Sequence, residues 1–263
     1  MLVGVIGDNT IDEYTGVGER SFVGGNALNV AVHLRRLGTE ASYWGAIGFD
    51  RNGDRVREAL VSEGVRVEGL VRLPGNTSCT RIRTDNQGDR VFEFEDFGVC
   101  DEYRPTPGQL TALAQCAAVH IGMLRAPGWV RRALSSRGVL VTQDCAVSDG
   151  YADLGVAFCS AGEDQARARR LARDAVAGGA RLAVVTCGAD GSIAFNGRAW
   201  WAAPAVSTDV VDTTGAGDSY IAGFLVAILA GCSVGQAMRQ GAENAARTCA
   251  HLGAWIQAPG AAE

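Results

Sequence analysis

Apolar and polar positions alternate in a regular rhythm along most of the 263-residue chain. Residues 2–6 form a short apolar run that predicts a buried strand, and residues 26–37 place apolar side chains at helical spacing before Gly38, a natural stop. The same βα order recurs further along the chain. The pattern predicts strands at 2–6, 41–47, 117–121, 139–143, 156–159 and 182–186, and helices at 26–37, 52–63, 163–177, 216–230 and 234–252.

This alternation predicts an α/β fold with a mostly parallel central sheet covered by helices on both faces. A hairpin around Asn196-Gly197 is expected to add residues 192–195 and 199–202. Since no repeat, low-complexity tract or long linker divides the sequence, we expect a single domain over residues 1–263. Ligands of such folds bind beyond the carboxyl ends of the strands.

Two stretches depart from this rhythm and predict a second, smaller sheet. Residues 68–98 alternate apolar and polar side chains in short runs, with turn signals at 74–75 and 85–88. Residues 13–22 are expected to pair with these short strands. We therefore expect a small β-sheet lid, built from segments of about 9–25 and 68–98, that closes over the ligand or pairs with a second copy in a homodimer.

The composition excludes several classes of protein. A net charge of −5 argues against nucleic-acid binding through bulk charge. All 24 basic residues are arginines, so a P-loop lysine is excluded, and phosphate must be bound by backbone amides, arginine or a metal. The eight cysteines form no CxxC pair, which argues against a zinc site. Without a basic leader or an apolar run of about 18 residues, we expect a cytoplasmic protein with no membrane span.

The strongest chemical signal is the segment DTTGAGDS at residues 212–219, between a β-prone run at 206–211 and an apolar helix. Gly215 and Gly217 permit unusual backbone geometry and expose N–H groups. At a helix N-terminus these groups favour an anion. Asp218 lies in the first turn, where a carboxylate can accept the proton of an incoming hydroxyl. The alternative is a helix cap with a tight glycine turn.

This segment resembles the C-terminal signature of ribokinase-like, phosphofructokinase-B-type carbohydrate kinases. The resemblance implies the three-layer α/β/α fold of that family, with ATP and Mg²⁺ as cofactors. It implies that Asp218 is the catalytic base and that the anion hole for the transferred phosphate is formed by the amides of Gly215, Ala216 and Gly217. A monovalent cation, such as K⁺, is implied at Asp212, Thr214 and, from a later loop, Gly253.

A second match lies near the start of the chain, where the segment GGNALNVA resembles the N-terminal signature of the same family. The resemblance implies that the backbone of Gly24 and Gly25 approaches the sugar and that Asn29 and Asp12 bind its hydroxyl groups. Such side chains suit the task because each can form several hydrogen bonds with O–H groups. Taken alone, each motif has an ordinary alternative, a glycine turn before a helix or a solvated loop aspartate.

A third set of matches implies a nucleotide site. The implied contacts to ATP come from Ser160, Thr186, Gly188, Gly191 and His251. Glu163 matches the acidic residue that orders Mg²⁺ through water, while Ser160 stands where the family has asparagine. His120, near the carboxyl end of a strand, either lines the pocket or packs in the core.

Within the family, four segments look closest to kinases that phosphorylate the 6-position of fructoselysine, a lysine Amadori adduct. They are residues 7–14, 24–32, 89–92 and 251–255. Acidic residues such as Asp8 and Asp12 would offset the cationic amine of such a substrate or a related fructosamine, and Arg90 would bind a carboxylate or phosphate. Ordinary surface charge is the alternative for these residues.

Other functions stay open from the sequence. The substrate of a related kinase would be another small sugar or a nucleoside, for example ribose or fructose. A non-catalytic sugar or nucleotide sensor would be indicated by an altered DTTGAGD segment, which is intact here. A dinucleotide-dependent oxidoreductase needs GxGxxG in the first βα turn, and the segment GDNTID lacks it.

Overall fold

The computed structural model describes residues 1–15, 19–84 and 90–260, without the side chains of residues 84 and 90–92. The strands in these residues are β1 (Leu2–Ile6), β2 (Thr10–Thr15), β3 (Arg20–Gly24), β4 (Glu40–Ile47), β5 (Arg66–Arg72), β6 (Cys79–Thr84), β7 (Arg90–Asp96), β8 (Ala118–Ile121), β9 (Leu140–Asp144), β10 (Val156–Ser160), β11 (Leu182–Thr186), β12 (Ser192–Phe195) and β13 (Trp200–Ala203). The α-helices are α1 (Asn26–Arg36), α2 (Arg51–Ser62), α3 (Val99–Glu102), α4 (Pro107–Leu113), α5 (Gly128–Ser135), α6 (Gln165–Ala177), α7 (Ala216–Leu229) and α8 (Val234–Cys249).

Nine strands form the large sheet, in the order β13-β12-β11-β10-β9-β8-β1-β4-β5. Neighbours from β11 to β5 pair in parallel, and β12 and β13 extend one edge as an antiparallel hairpin. All the carboxyl ends of the parallel strands therefore lie along one edge of the sheet. This is the central sheet that the sequence predicts.

The large sheet has a hydrophobic core on each face. Successive strand residues point to opposite faces, so in β11 Val184 belongs to one buried cluster and Val185 to the other. The first cluster is completed by residues of α1, α2, α7 and α8, and the second by residues of α4, α5 and α6. The result is the expected three-layer α/β/α arrangement.

Helix α7 is held tightly between its neighbours. Phe224 and Leu225 are fully buried. A Cβ at Gly223 would lie 2.7 Å from the carbonyl oxygen of Gln240, so α7 and α8 approach each other more closely than larger residues would allow. This packing fixes the position of the α7 N-terminus at the carboxyl edge of the sheet.

The small sheet has the strand order β3-β2-β6-β7. β2 pairs with β6 in parallel, and β3 and β7 are antiparallel to their neighbours. Residues 68–72, expected in the lid segment 68–98, instead belong to β5, which pairs with β4 in the large sheet. The second segment of the small sheet therefore begins at residue 79. The prediction placed its start too early because a half-buried edge strand of the large sheet has the same alternating pattern as a lid strand.

The β-prone run at 206–211 is not a strand in the structure. The side chains of Val206, Val210 and Val211 are exposed, so they lack the packing that makes β-branched residues favour strands. The segment before the glycine turn has no regular secondary structure. The short helices α3, α4 and α5 were not predicted.

Candidate active site

The first turn of α7 combines close packing with an exposed surface. Gly215 precedes the helix with φ +72°, and a Cβ there would lie 2.5 Å from the Cβ of Ala254. Only glycine fits this position without strain. Gly217 is different, since a Cβ there would meet no heavy atom within 4 Å. The turn is therefore packed behind Gly215 and open in front of Gly217.

Helix geometry leaves the first N–H groups of α7 without intrahelical partners. The Ala216 N–H, predicted for the anion hole, donates to the Thr213 carbonyl at 3.2 Å, and the Ser219 N–H donates to the Gly215 carbonyl at 2.9 Å. The turn thus offers the N–H groups of Gly217 and Asp218 to an anion more readily than that of Ala216.

The Asp218 carboxylate is buried and held by two side chains of α1. Its Oδ1 accepts from Nδ2 of Asn26 and its Oδ2 from Nδ2 of Asn29, both at 2.7 Å. Asn29 was predicted as a sugar residue, whereas Asn26 was not singled out. Asn26 and Asn29 lie three residues apart on α1, and each binds one oxygen of the carboxylate. Helix α1 therefore fixes the orientation of the carboxylate.

Asp144, at the carboxyl end of β9, was missed by the sequence analysis. Its Oδ2 accepts from the same Asn26 Nδ2 at 2.8 Å, and its Oδ1 accepts from the Ala146 N–H at 2.9 Å. The residue is 8% exposed. An acidic residue that ends a predicted parallel strand was the signal that could have identified it.

The carboxylates of this cluster are unusually basic. Burial raises the pKa of Asp218 well above its ordinary value, and the charges of Asp144, Asp8 and Asp12 raise it further against the lowering effect of the Asn29 hydrogen bond. Burial also raises the pKa values of Asp8 and Asp144. Such shifts are common at catalytic sites.

Asp8, a predicted substrate residue, acts as a cap for α1. Gly25 before the helix gives no side-chain cap, and the Asp8 carboxylate accepts from the N–H groups of Asn26 at 2.7 Å, Ala27 at 3.0 Å and Met123 at 3.2 Å. It also lines a cavity of about 240 Å³ beyond the strand ends. Asp8 therefore positions α1, whose Asn26 and Asn29 bind the Asp218 carboxylate. A contact between Asp8 and substrate stays a prediction.

The other predicted sugar residues lie near the start of α1, close to Asn29. Gly24 ends β3 with its Cα against Asp12, where a Cβ would lie 2.4 Å from the Asp12 carboxylate. Gly25 has φ +113°, and a Cβ there would lie 2.5 Å from the Asn9 backbone. The structure thus brings Asp12, Gly24 and Gly25 together with Asn29. The Arg90 side chain and residues 85–89 lie outside what the structure describes.

A second group of predicted residues assembles at the ends of β10 and β11. Thr186 ends β11, Gly188 and Gly191 both have positive φ, and Ser160 ends β10. Exposed Glu163 lies against this loop, since a Cβ at Gly188 would be 3.3 Å from its Cγ. The predicted nucleotide and magnesium residues are therefore neighbours.

Asp212 joins two loops near the start of α7. Its Oδ1 accepts from the Thr214 N–H at 2.6 Å, and its Oδ2 from the Gly253 N–H at 2.9 Å. The structure therefore brings together all three residues predicted for a monovalent cation. Half-buried His251 lies in the second loop, with Nδ1 3.1 Å from the Leu252 carbonyl oxygen.

His120 is a core residue. It is fully buried, Nδ1 lies 3.0 Å from Oγ1 of Thr142, and burial lowers its pKa to about 3. The ring contacts Phe158 edge-on. Of the two alternatives from the sequence, the structure thus favours core packing.

Comparison with known proteins decides the family. The model of the pfkB family carbohydrate kinases matches residues 15–156 and 151–259. This chain belongs to that family. It is 34% identical to the fructoselysine 6-kinase of Shigella flexneri, over 95% of this chain and 98% of the relative. It is 31% identical to a fructosamine kinase of Bacillus subtilis, over 95% and 91%.

Solved structures give the same fold. The ribokinase of Arabidopsis thaliana, in complex with ribose and ATP, superposes with a TM-score of 0.83 at 21% identity, covering 94% of this chain and 92% of that one. An acarbose kinase has a TM-score of 0.83 at 22% identity, covering 97% and 94%. The predicted ribokinase-like fold and family are confirmed. As a pfkB family kinase, the protein is an enzyme that phosphorylates a sugar with ATP.

The residues present fit the magnesium ion that the kinase family implies. Within the described part of the chain, no group of three or more histidine, cysteine or acidic residues is arranged to hold a metal. Mg²⁺ in phosphoryl-transfer sites usually keeps several waters and uses one or two carboxylates plus substrate phosphates. Glu163, beside the nucleotide loop, supplies one such carboxylate. Among the described helices, none has the length and apolar character needed to cross a membrane.

Proposed function

We propose that this kinase transfers the γ-phosphate of ATP to the 6-hydroxyl of fructoselysine or a related fructosamine. The observation that carries the choice of sugar is the 34% identity to fructoselysine 6-kinases over nearly the full length of both chains. Relatives named for other substrates match over a smaller share of this chain: a nucleoside kinase at 28% identity over 82%, and an acarbose phosphotransferase at 31% over 84%.

Asp218 is the general base in this proposal. It takes the proton of the sugar hydroxyl while the hydroxyl oxygen bonds to the γ-phosphorus and ADP leaves. A carboxylate with a raised pKa is a stronger base and works closer to neutral pH than an ordinary aspartate. Asn26 and Asn29 hold both carboxylate oxygens, so little motion is needed to orient the base.

The turn at Gly215, Ala216 and Gly217 forms the anion hole for the transferred phosphate, chiefly through the N–H groups of Gly217 and Asp218, because that of Ala216 donates to Thr213. Its backbone amides stand at the positive end of α7, where developing negative charge is stabilised. The open space in front of Gly217 supports this assignment. Because the chain has no lysine, these amides carry more of the task than in enzymes with a phosphate-binding lysine.

ATP would lie along Ser160, Thr186, Gly188, Gly191 and His251. Glu163 would hold Mg²⁺ through water, and the bound ion would neutralise phosphate charge. Asp212, Thr214 and Gly253 would form a monovalent-cation site, for which the link between their two loops is the support. The support for the nucleotide and magnesium assignments is that Glu163 lies against the loop at Gly188.

The small sheet would close over the sugar and exclude water from the phosphoryl transfer. Phe94, exposed on β7, gives its outer face an apolar position that a second copy would cover in a homodimer.

The eight cysteines are free thiols, which supports a reducing compartment such as the cytoplasm, where ATP is available.

A substrate panel tests the proposal. ADP formation is measured with fructoselysine, fructose, ribose and adenosine at equal concentrations, and the product is located by NMR. We expect the highest kcat/KM with fructoselysine and phosphorus on O6. A kcat/KM for fructose, ribose or adenosine above that for fructoselysine would reject the fructosamine assignment and leave the family unchanged.

A further inference from the structure

A cavity of about 240 Å³ opens beside Asp8, at the carboxyl ends of β1, β8 and β9. Pockets for drug-sized ligands measure about 300–1,000 Å³, so this volume suits a smaller group. Asp218 is not among the residues that line it. The cavity is therefore an extension of the site and not the place where the proton is transferred.

The cavity wall combines apolar and charged side chains. The apolar part includes Phe97, Leu124, Pro127 and Val147. The charged part consists of buried Asp8 and of Asp101, Arg125 and Asp149, which are exposed. An occupant with a hydrocarbon chain and both a carboxylate and an ammonium group would match this distribution.

Arg125 forms an ion pair with Asp101 but stays accessible to a ligand. Its Nη1 lies 2.5 Å from Oδ2 of Asp101, and the two side chains are 61% and 50% exposed. Exposed ion pairs contribute little to stability, so a ligand carboxylate can replace or join Asp101 at small cost. Guanidinium groups bind carboxylates in a two-point geometry that favours this exchange.

The loop that carries Arg125 is held in a defined shape. The Leu124 N–H donates to Oγ of Ser148 at 2.9 Å, and this hydroxyl donates to the Gly122 carbonyl at 2.8 Å. The next residue after Arg125 is Ala126, a non-glycine residue with φ +51°. A conformation of this kind persists only where its surroundings enforce it, and here it turns the chain into Pro127 at the cavity wall.

Asp8 connects the cavity to the reaction site. Its carboxylate lines the cavity and accepts from the backbone N–H of Asn26, whose side chain donates to Asp218. A substrate whose reacting hydroxyl lies at Asp218 would have to extend past Asn26 and Asp8 for its far end to enter the cavity. In a 6-phosphorylated fructosamine, that far end is the amino-acid part.

We propose that this cavity is the subsite for the amino-acid portion of the substrate. Arg125 binds the α-carboxylate, Asp149 binds the α-ammonium group, and the apolar wall packs against the methylene chain. The inference rests on the proposed function, because it assumes a fructosamine as substrate. It adds the residues by which the enzyme would distinguish a fructosamine from a free sugar.

The test uses the full-length enzyme and substrates that each lack one charged group. The fructosamine of 1,5-diaminopentane lacks the α-carboxylate of fructoselysine, and the fructosamine of 6-aminohexanoic acid lacks its α-amino group. We expect Arg125→Gln to lower the ratio of kcat/KM for fructoselysine to that for the diaminopentane adduct by about tenfold or more, as for a lost hydrogen bond to a charged group. The change should lie mainly in KM.

Asp149→Asn gives an independent arm, because it should lower the ratio of fructoselysine to the 6-aminohexanoic acid adduct instead. Arg132→Gln is the matched control, since Arg132 is 82% exposed and does not line this cavity. Unchanged ratios in both cavity variants would overturn the subsite while leaving the fructosamine kinase intact. A wild-type enzyme that phosphorylates none of these adducts would overturn the proposed function and the subsite together.

Discussion

Asp144 and Asp218 accept hydrogen bonds from the same nitrogen, Nδ2 of Asn26, at 2.8 and 2.7 Å. Two buried carboxylates that share one amide repel each other, and this repulsion contributes to the raised pKa of Asp218 after the larger effect of burial. The charge of Asp144 can therefore tune the pKa of the proposed base.

Asp144→Asn should shift the pH profile of the enzyme. Asp218 must be ionised to accept a proton, so activity is lost as the pH falls through its pKa. Removing the negative charge of Asp144 lowers that pKa, and the acidic limb of the kcat/KM profile should move to lower pH. Asp153→Asn, a surface change, is the control. An unmoved limb, or one at higher pH, would disprove this coupling.

The two glycines around the turn should respond differently to alanine. Gly217→Ala meets no neighbour and does not require positive φ, so stability should be kept or raised by up to about 1 kcal/mol, while kcat falls by on the order of 10²-fold as the methyl group enters the anion site. Gly215→Ala should instead destabilise the fold by at least about 1–2 kcal/mol. Thermal unfolding and kcat of both variants separate these effects, and a fully active Gly217→Ala enzyme would contradict the anion hole.

Asp8→Ala should destabilise the protein. The substitution leaves the N–H groups of Asn26, Ala27 and Met123 without their acceptor, at a cost of about 1–3 kcal/mol. Asp8→Asn keeps one acceptor oxygen and should lose less. Urea unfolding measures both variants, and equal stability of Asp8→Ala and wild type would show that the cap contributes nothing.

Asp218→Asn should make the stability of the fold less sensitive to rising pH. The raised pKa means that the folded state holds this proton more tightly than the unfolded chain, so wild-type stability falls as the pH rises through the folded pKa. The neutral variant lacks this loss. The difference in Tm, variant minus wild type, should grow as the pH rises above about 4, the ordinary pKa of an aspartate. A difference that shrinks would contradict the assigned direction.

Much of the fold follows from local pattern. The helix at 26–37 and the strand at 182–186 are recognisable because buried residues recur at the period of each element, and β11 has the predicted bounds. The run at 206–211 shows the limit of this reasoning. β-branched residues indicate a strand only where a sheet is present to pack against, and that depends on the tertiary structure.

The candidate site was predictable where residues lie within one motif. Asp218 and Asn29 come from separate motifs that each suggest a function, and the structure joins them at 2.7 Å. Asp144 lies in no such motif, and its role depends on which strands become neighbours. The capping role of Asp8 was also out of reach, since it bridges residues 19 positions apart.

The central claim concerns the carboxylate at the start of α7. Asp218→Asn is nearly isosteric, and the Oδ1 atoms of Asn26 and Asn29 have no partner in the described structure, so a rotated amide can pair with the new NH₂ group. The variant should therefore fold and bind the sugar. It cannot take a proton from the hydroxyl.

The most direct measurement is the kcat of Asp218→Asn for ADP formation with saturating ATP and fructoselysine, together with sugar binding by calorimetry. We predict a kcat at least about 10²-fold below wild type, as expected for loss of a positioned base, with sugar affinity retained. Turnover close to the wild-type rate in a folded, sugar-binding variant would contradict the role of Asp218.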